Sequence, residues 1–184
     1  MSAENSVLHR PSGPWHRAVL WAAVPGAIVA AAWITAGRAL FGAGGWLVPV
    51  FAVSFGPLLL VVLLVSAWYG VKDARRHSPG TGTSTALAVL HPVTWLLAFI
   101  FGMLCPDRID GRTVSAASQL LGYEFVGLSA GFGNTFGILT FVAAFATLLV
   151  AISQARRSAR RAAGITEADE EEFERSQSSY EFLD

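Results

Sequence analysis

The sequence is poor in cysteine, in lysine and in charge of either sign. One cysteine, Cys105, stands among 184 residues. A lone thiol excludes an internal disulfide and any metal centre built on cysteines. Charged residues make up 14% of the chain, against roughly 25% in a soluble domain. They are also segregated. Long runs between Ala18 and Ile152 carry no Asp, Glu, Lys or Arg, and the charges gather at the two ends and in the connections. Catalytic signatures are missing as well: no phosphate loop, dinucleotide fingerprint, zinc-helix motif or nucleophile elbow occurs. No enzymatic activity, cofactor, metal or nucleic-acid partner is therefore expected.

What the chain has is apolar surface, 53% of its residues. Four apolar runs cover about 18–36, 46–69, 85–104 and 134–152. Each is near the roughly 20 residues that a helix needs to cross a bilayer. Backbone groups in lipid must pair within their own segment, which makes helix the default. The expected fold is an all-α integral membrane protein, a compact bundle of four transmembrane helices. A polar stretch, 1–17, precedes it, and a basic-then-acidic tail, 153–184, follows. That polar stretch contains Glu4 and leads into a run of full span length, so the first span reads as an uncleaved one rather than a signal peptide.

Basic residues set the orientation. Arg10, Arg17, Lys72, Arg75, Arg76, Arg156, Arg157, Arg160, Arg161 and Arg175 fall on one side of a four-span chain, and Arg38, Arg108 and Arg112 on the other. Both ends are thus expected in the cytoplasm. Arginine far outnumbers lysine, and Ala, Gly and Val abound, which points to a bacterial plasma membrane.

Within the spans the notable polar residue is His91, followed by Pro92, with Thr94 on the same helix face. Two readings stand: a ligand or proton-handling site, or a neutral histidine bonded to a neighbouring helix, and the second has more weight. Proline interrupts three spans, at Pro25, Pro57 and Pro92. Small residues form stripes suited to close helix packing: Ala22, Gly26 and Ala30 in the first span, and Gly137, Thr140, Ala144, Thr147 and Ala151 in the fourth. In "GLSAGFGNTFG", Gly127–Gly137, the first residues read as a glycine-rich entry segment to the fourth span with Asn134 as the helix cap, and a single long helix from Phe125 is the competing reading. Asp107 and Asp110 with Arg108 and Arg112 read as an exposed salt-bridged turn, with a short helix over Val114–Leu121. Cys105 reads as a buried apolar residue, or less favourably as a disulfide between two copies.

The tail changes sign. Arg156, Arg157, Arg160 and Arg161 suit anionic lipid heads. Gly164 suits a helix stop, and Thr166 with Asp169 resembles a capping box. The acidic stretch beyond carries Phe173, Tyr180, Phe182 and Leu183 as candidate anchors for a partner, although its composition also fits a disordered end. The expected role is a non-enzymatic membrane component, a homo-oligomer or an accessory subunit, with the bilayer and a tail-bound protein as partners. The alternative is a small transporter or channel subunit with its site near His91 and the proline breaks.

Overall fold

The computed structural model describes residues 13–77 and 80–164. Helix α1 spans Pro14–Ala36 and passes into a 3₁₀ turn, Gly37–Phe41. Helices α2 (Leu47–Val53) and α3 (Phe55–Ala74) follow, then α4 (Thr85–Leu104). A hairpin of β1 (Asp107–Ile109) and β2 (Arg112–Val114) leads to the short α5 (Ala116–Leu121) and the long α6 (Phe125–Ala162). The molecule is mostly helical, with four helical stretches long and apolar enough to cross a membrane. Helix α1 packs on α3 and α4, and α6 packs on α3 and α4.

Local chemistry explains where these elements begin and end. Proline suits the first helical position because its missing N–H would be unpaired there anyway, and α1 starts at Pro14. The Ser84 hydroxyl accepts from the Leu87 N–H and opens α4. In the hairpin, Asp110 and Gly111 both have positive φ, 49° and 77°, as a tight two-residue turn requires. Helix α6 ends two residues before Gly164, which has φ 77°.

The three prolines behave differently. A helical proline cannot donate to the carbonyl four residues back, and its ring crowds that carbonyl. For Pro57 that residue is Val53, the last of α2, and the chain breaks at Ser54, with φ −125° and ψ −89°. The second apolar run is therefore two helices. Pro25 and Pro92 lie inside continuous helices. For Pro92 the freed carbonyl is Ala88, and the Trp15 indole N–H donates to it at 3.1 Å.

That bond is one of three tryptophan contacts joining α1 to α4. The Trp33 indole donates to the Phe99 carbonyl at 3.0 Å and stacks on the Phe99 ring. A Cβ added to Gly102 would stand 2.4 Å from Trp33, and one added to Gly26 would stand 2.5 Å from Trp95. Glycine on each helix makes room for the other helix's indole. The most buried face of α1 is Val19, Ala23, Ala27, Ala30, Ala31 and Ile34, so the small-residue stripe sits one position from the expected one. Ala30 is buried, whereas Ala22 and Gly26 are half-buried, Gly26 against the Trp95 ring.

The fourth apolar run corrects a sequence expectation. Helix α6 is continuous from Phe125, through Gly131 and Gly133, so there is no separate lead-in and Asn134 caps nothing. Gly133 and Gly137 are spent on packing. Added Cβ atoms would lie 3.0 Å from the Leu104 carbonyl and 2.9 Å from the Phe101 ring. Gly127 and Gly131 face open space. One buried stripe runs the length of this helix: Ser129, Gly133, Gly137, Thr140, Ala144, Thr147, Ala151, Ala155 and Ser158. Spacings of three and four keep it on one face.

Candidate functional site

His91 and Thr94 lie on the buried face of α4. The His91 Nδ1 is 3.1 Å from the Leu87 carbonyl. A carbonyl only accepts, so Nδ1 carries the proton. Nε2 then accepts from the Ser66 hydroxyl of α3 at 3.4 Å. Both nitrogens are used by a neutral imidazole. Thr94 Oγ1 donates to the Leu90 carbonyl and meets Thr147 Oγ1 of α6 at 3.2 Å. Ser66, His91, Thr94 and Thr147 thus form a polar seam among α3, α4 and α6, each member bonded within the protein. Gly137, Thr140, Ala144 and Thr147 are all buried. Thr140 and Thr147 also bond back to the Phe136 and Ala143 carbonyls.

A second constellation was not foreseen. Arg38, in the 3₁₀ turn, is fully buried. Its Nη1 donates to Cys105 Sγ at 2.9 Å, and its guanidinium carbon lies 4.7 Å from the centre of the Phe51 ring. Nη2 lies 3.6 Å from Asp107 Oδ2. That oxygen also accepts the Gly45 and Leu47 N–H groups, at 2.9 and 3.1 Å. Gly45 has no room for a Cβ, which would stand 2.8 Å from Asp107 Oδ1. Arg38 Nε and Nη2 have no hydrogen-bond partner among the described residues. The exposed salt-bridged turn is thereby corrected: Asp107 points inward to Arg38, away from Arg108 and Arg112, and only 4% of it is exposed. Cys105 is buried as expected, and it also accepts a hydrogen bond. Burial pushes its thiol above the ordinary value, against the opposing pull of Arg38. A thiol so placed stays protonated at neutral pH.

The opposite end holds a third buried charge. Asp73, in the last turn of α3, accepts from the Ser158 hydroxyl of α6. Arg76 Nη1 donates to the Ala155 carbonyl at 3.1 Å. Arg156, Arg157, Arg160 and Arg161 are exposed around it on the last turns of α6. Phe173, Tyr180, Phe182 and Leu183, with the capping box at Thr166, lie outside the described residues.

One concavity is long and apolar. A lateral groove of about 970 Å³ runs between α2–α3 and α6, past Phe51, Phe55, Phe101, Cys105 and Phe141. It follows α6 from Ala130 to Leu149, about 28 Å at 1.5 Å per residue. The break at Ser54 lies alongside this groove, between lining residues Phe51 and Phe55. His91 and Thr94 are not on its wall. Among the described residues no three His, Cys, Asp or Glu side chains are grouped to hold a metal ion. The groove, the seam and the Arg38 cluster can bind apolar surface and fix helix positions; the hydroxyl–imidazole pair of the seam, Ser66 with His91, is buried among α3 and α4. In comparison with known proteins, the chain matches no family, no curated protein and no solved structure.

Proposed function

We propose that this protein is a four-span component of a bacterial plasma membrane that works by associating with other membrane helices. It forms a compact bundle with both ends in the cytoplasm, as a homo-oligomer or as an accessory subunit. The lateral groove carries the reading. It is apolar, it is as long as the hydrocarbon layer is thick, and it is open along its side rather than closed around a solute. Small residues such as Ala130 and Ala146 on its α6 wall allow close helix approach. A transport site at His91 has weaker support, since the imidazole is fully bonded inside the protein and does not line the lateral groove.

The charge distribution supports the orientation. Burial of Arg38 leaves Arg108 and Arg112 as the exposed cations at the hairpin end among the described residues. At the other end Arg17, Lys72, Arg75, Arg156 and Arg157 are exposed. The positive-inside rule places that second end in the cytoplasm.

The test fills the groove. Ala130→Trp and Ala146→Trp each place an indole into it from α6. Solubilised in mild detergent from native membranes, the wild-type chain is expected to migrate as a complex, with a second copy or another membrane protein. The two variants are expected to lose that complex while keeping the helical circular dichroism of the wild type. A wild-type chain that stays monomeric and alone overturns the proposal. So does a complex untouched by either indole. Cysteine placed at Tyr123, 69% exposed, tests orientation, because an impermeant thiol reagent must reach it from outside intact cells.

A further inference from the structure

At the basic end, α3 carries a notch of about 520 Å³ lined by Trp68, Val71, Lys72, Arg75 and Arg76. Three of its five lining residues are cations and none is an anion. The Lys72 ammonium lies 5.1 Å from the Trp68 ring centre, and Trp68 packs edge-on against Tyr69. Arg76 is held in place by the Ala155 carbonyl. Lys72 and Arg75 are exposed, and Trp68 is 57% exposed. Asp73, the nearest carboxylate in sequence, is turned away and bonded to Ser158 of α6.

The rest of that helix face completes an amphiphile's outline. Leu58, Val61, Val65, Trp68, Lys72 and Arg75 follow at spacings of three and four, which puts them on one face. Leu58 and Val61 are exposed and Val65 is half-buried. Read along α3, the face is aliphatic, then aromatic, then cationic. Trp marks the hydrocarbon boundary, so the cations stand at the depth of the lipid phosphates. A basic pocket at that depth, on the cytoplasmic side, suits an anionic headgroup.

We infer that this notch is a binding site for one anionic phospholipid. The phosphate sits between Lys72 and Arg75, Arg76 supplies the fixed back wall, and an acyl chain lies along Trp68, Val65 and Val61. The inference rests on the membrane-spanning reading and differs from general headgroup contact by the arginines of α6. It makes the lipid a discrete ligand of α3.

The test uses the full chain in vesicles of phosphatidylcholine with and without phosphatidylglycerol. Retained lipid is read by native mass spectrometry, and insertion is scored separately by resistance to alkaline extraction. Wild type is expected to hold one phosphatidylglycerol. Lys72→Ala/Arg75→Ala is expected to bind it about thirtyfold more weakly, the loss for two headgroup cations. Arg156→Ala/Arg157→Ala removes equal charge and is expected to change binding little. Equal loss in both double variants means unspecific attraction and overturns the inference, as does undiminished binding in the first. If the acidic segment 165–184 is the true occupant, deleting it makes the Lys72/Arg75 pair matter to lipid for the first time, which also overturns it. A chain that fails to resist extraction defeats the membrane reading itself.

Discussion

The polar side chains buried at the ends of the helices differ in kind from those buried in the middle. Among the described residues the buried ionic groups lie at the ends, Arg38 with Asp107 at one and Asp73 at the other, beside neutral hydroxyls such as Ser115 and Ser129. In the middle the buried polar groups are neutral: Ser66 with His91, and Thr94 with Thr147. The contrast follows from the cost of burial. A buried charge is tolerated only when several dipoles or counter-charges face it, and free backbone N–H groups are found where helices begin. Asp107 takes two such groups, from Gly45 and Leu47. Mid-helix N–H groups are already committed to their own helix, so only groups that a single neighbour can satisfy survive there. Ends lock the connections in place, and the middle sets the register of facing helices.

The largest effect that tests this contrast is expected at Asp107. Asp107→Ala strands Arg38 and the backbone N–H groups of Gly45, Leu47 and Arg108, and should cost about 3–5 kcal/mol of stability, read by chemical unfolding in detergent. Asp107→Asn keeps an acceptor but not the charge and should fall between. If Asn is as costly as Ala, the ionic part dominates; if it is harmless, the cluster is only a backbone cap. Ser158→Ala takes one donor from the buried Asp73 carboxylate and should cost about 1–3 kcal/mol. Thr94→Val removes the mid-helix hydroxyl pair at nearly constant volume and should cost about 0.6 kcal/mol. A Thr94→Val loss equal to that of Asp107→Ala would erase the distinction between ends and middle.

The long apolar helices are legible in the sequence because a run without charges, near 20 residues long, has few alternatives. The break in the second run was half legible. Pro57 signals it, but the break falls at Ser54, since the ring meets the carbonyl four residues earlier. The glycines of α6 left two readings open, an entry segment or one long helix from Phe125, and propensity favoured the wrong one. A helical glycine costs about 1 kcal/mol, whereas a backbone group left unpaired in hydrocarbon costs several, so the helix continues. Those glycines answer to neighbours, Leu104 and Phe101, that no local pattern reveals. Arg38 was read as a loop cation for the same reason. Its partner Asp107 is 69 positions away, and charge counting does not distinguish a buried arginine from an exposed one. Trp15 and Ala88 show the reverse case: Pro92 identifies the freed carbonyl from sequence, but not the indole that serves it.

The length of α6 has a consequence for the bilayer around it. Thirty-eight residues make a rod of about 57 Å, against a hydrocarbon layer of about 30 Å. Its fellow α4 has 20 residues, about 30 Å. The short helix has no slack, while the long one extends past the apolar layer. In a membrane that thins or thickens, α4 meets hydrophobic mismatch at once, whereas α6 tilts or slides its boundary without losing a backbone bond.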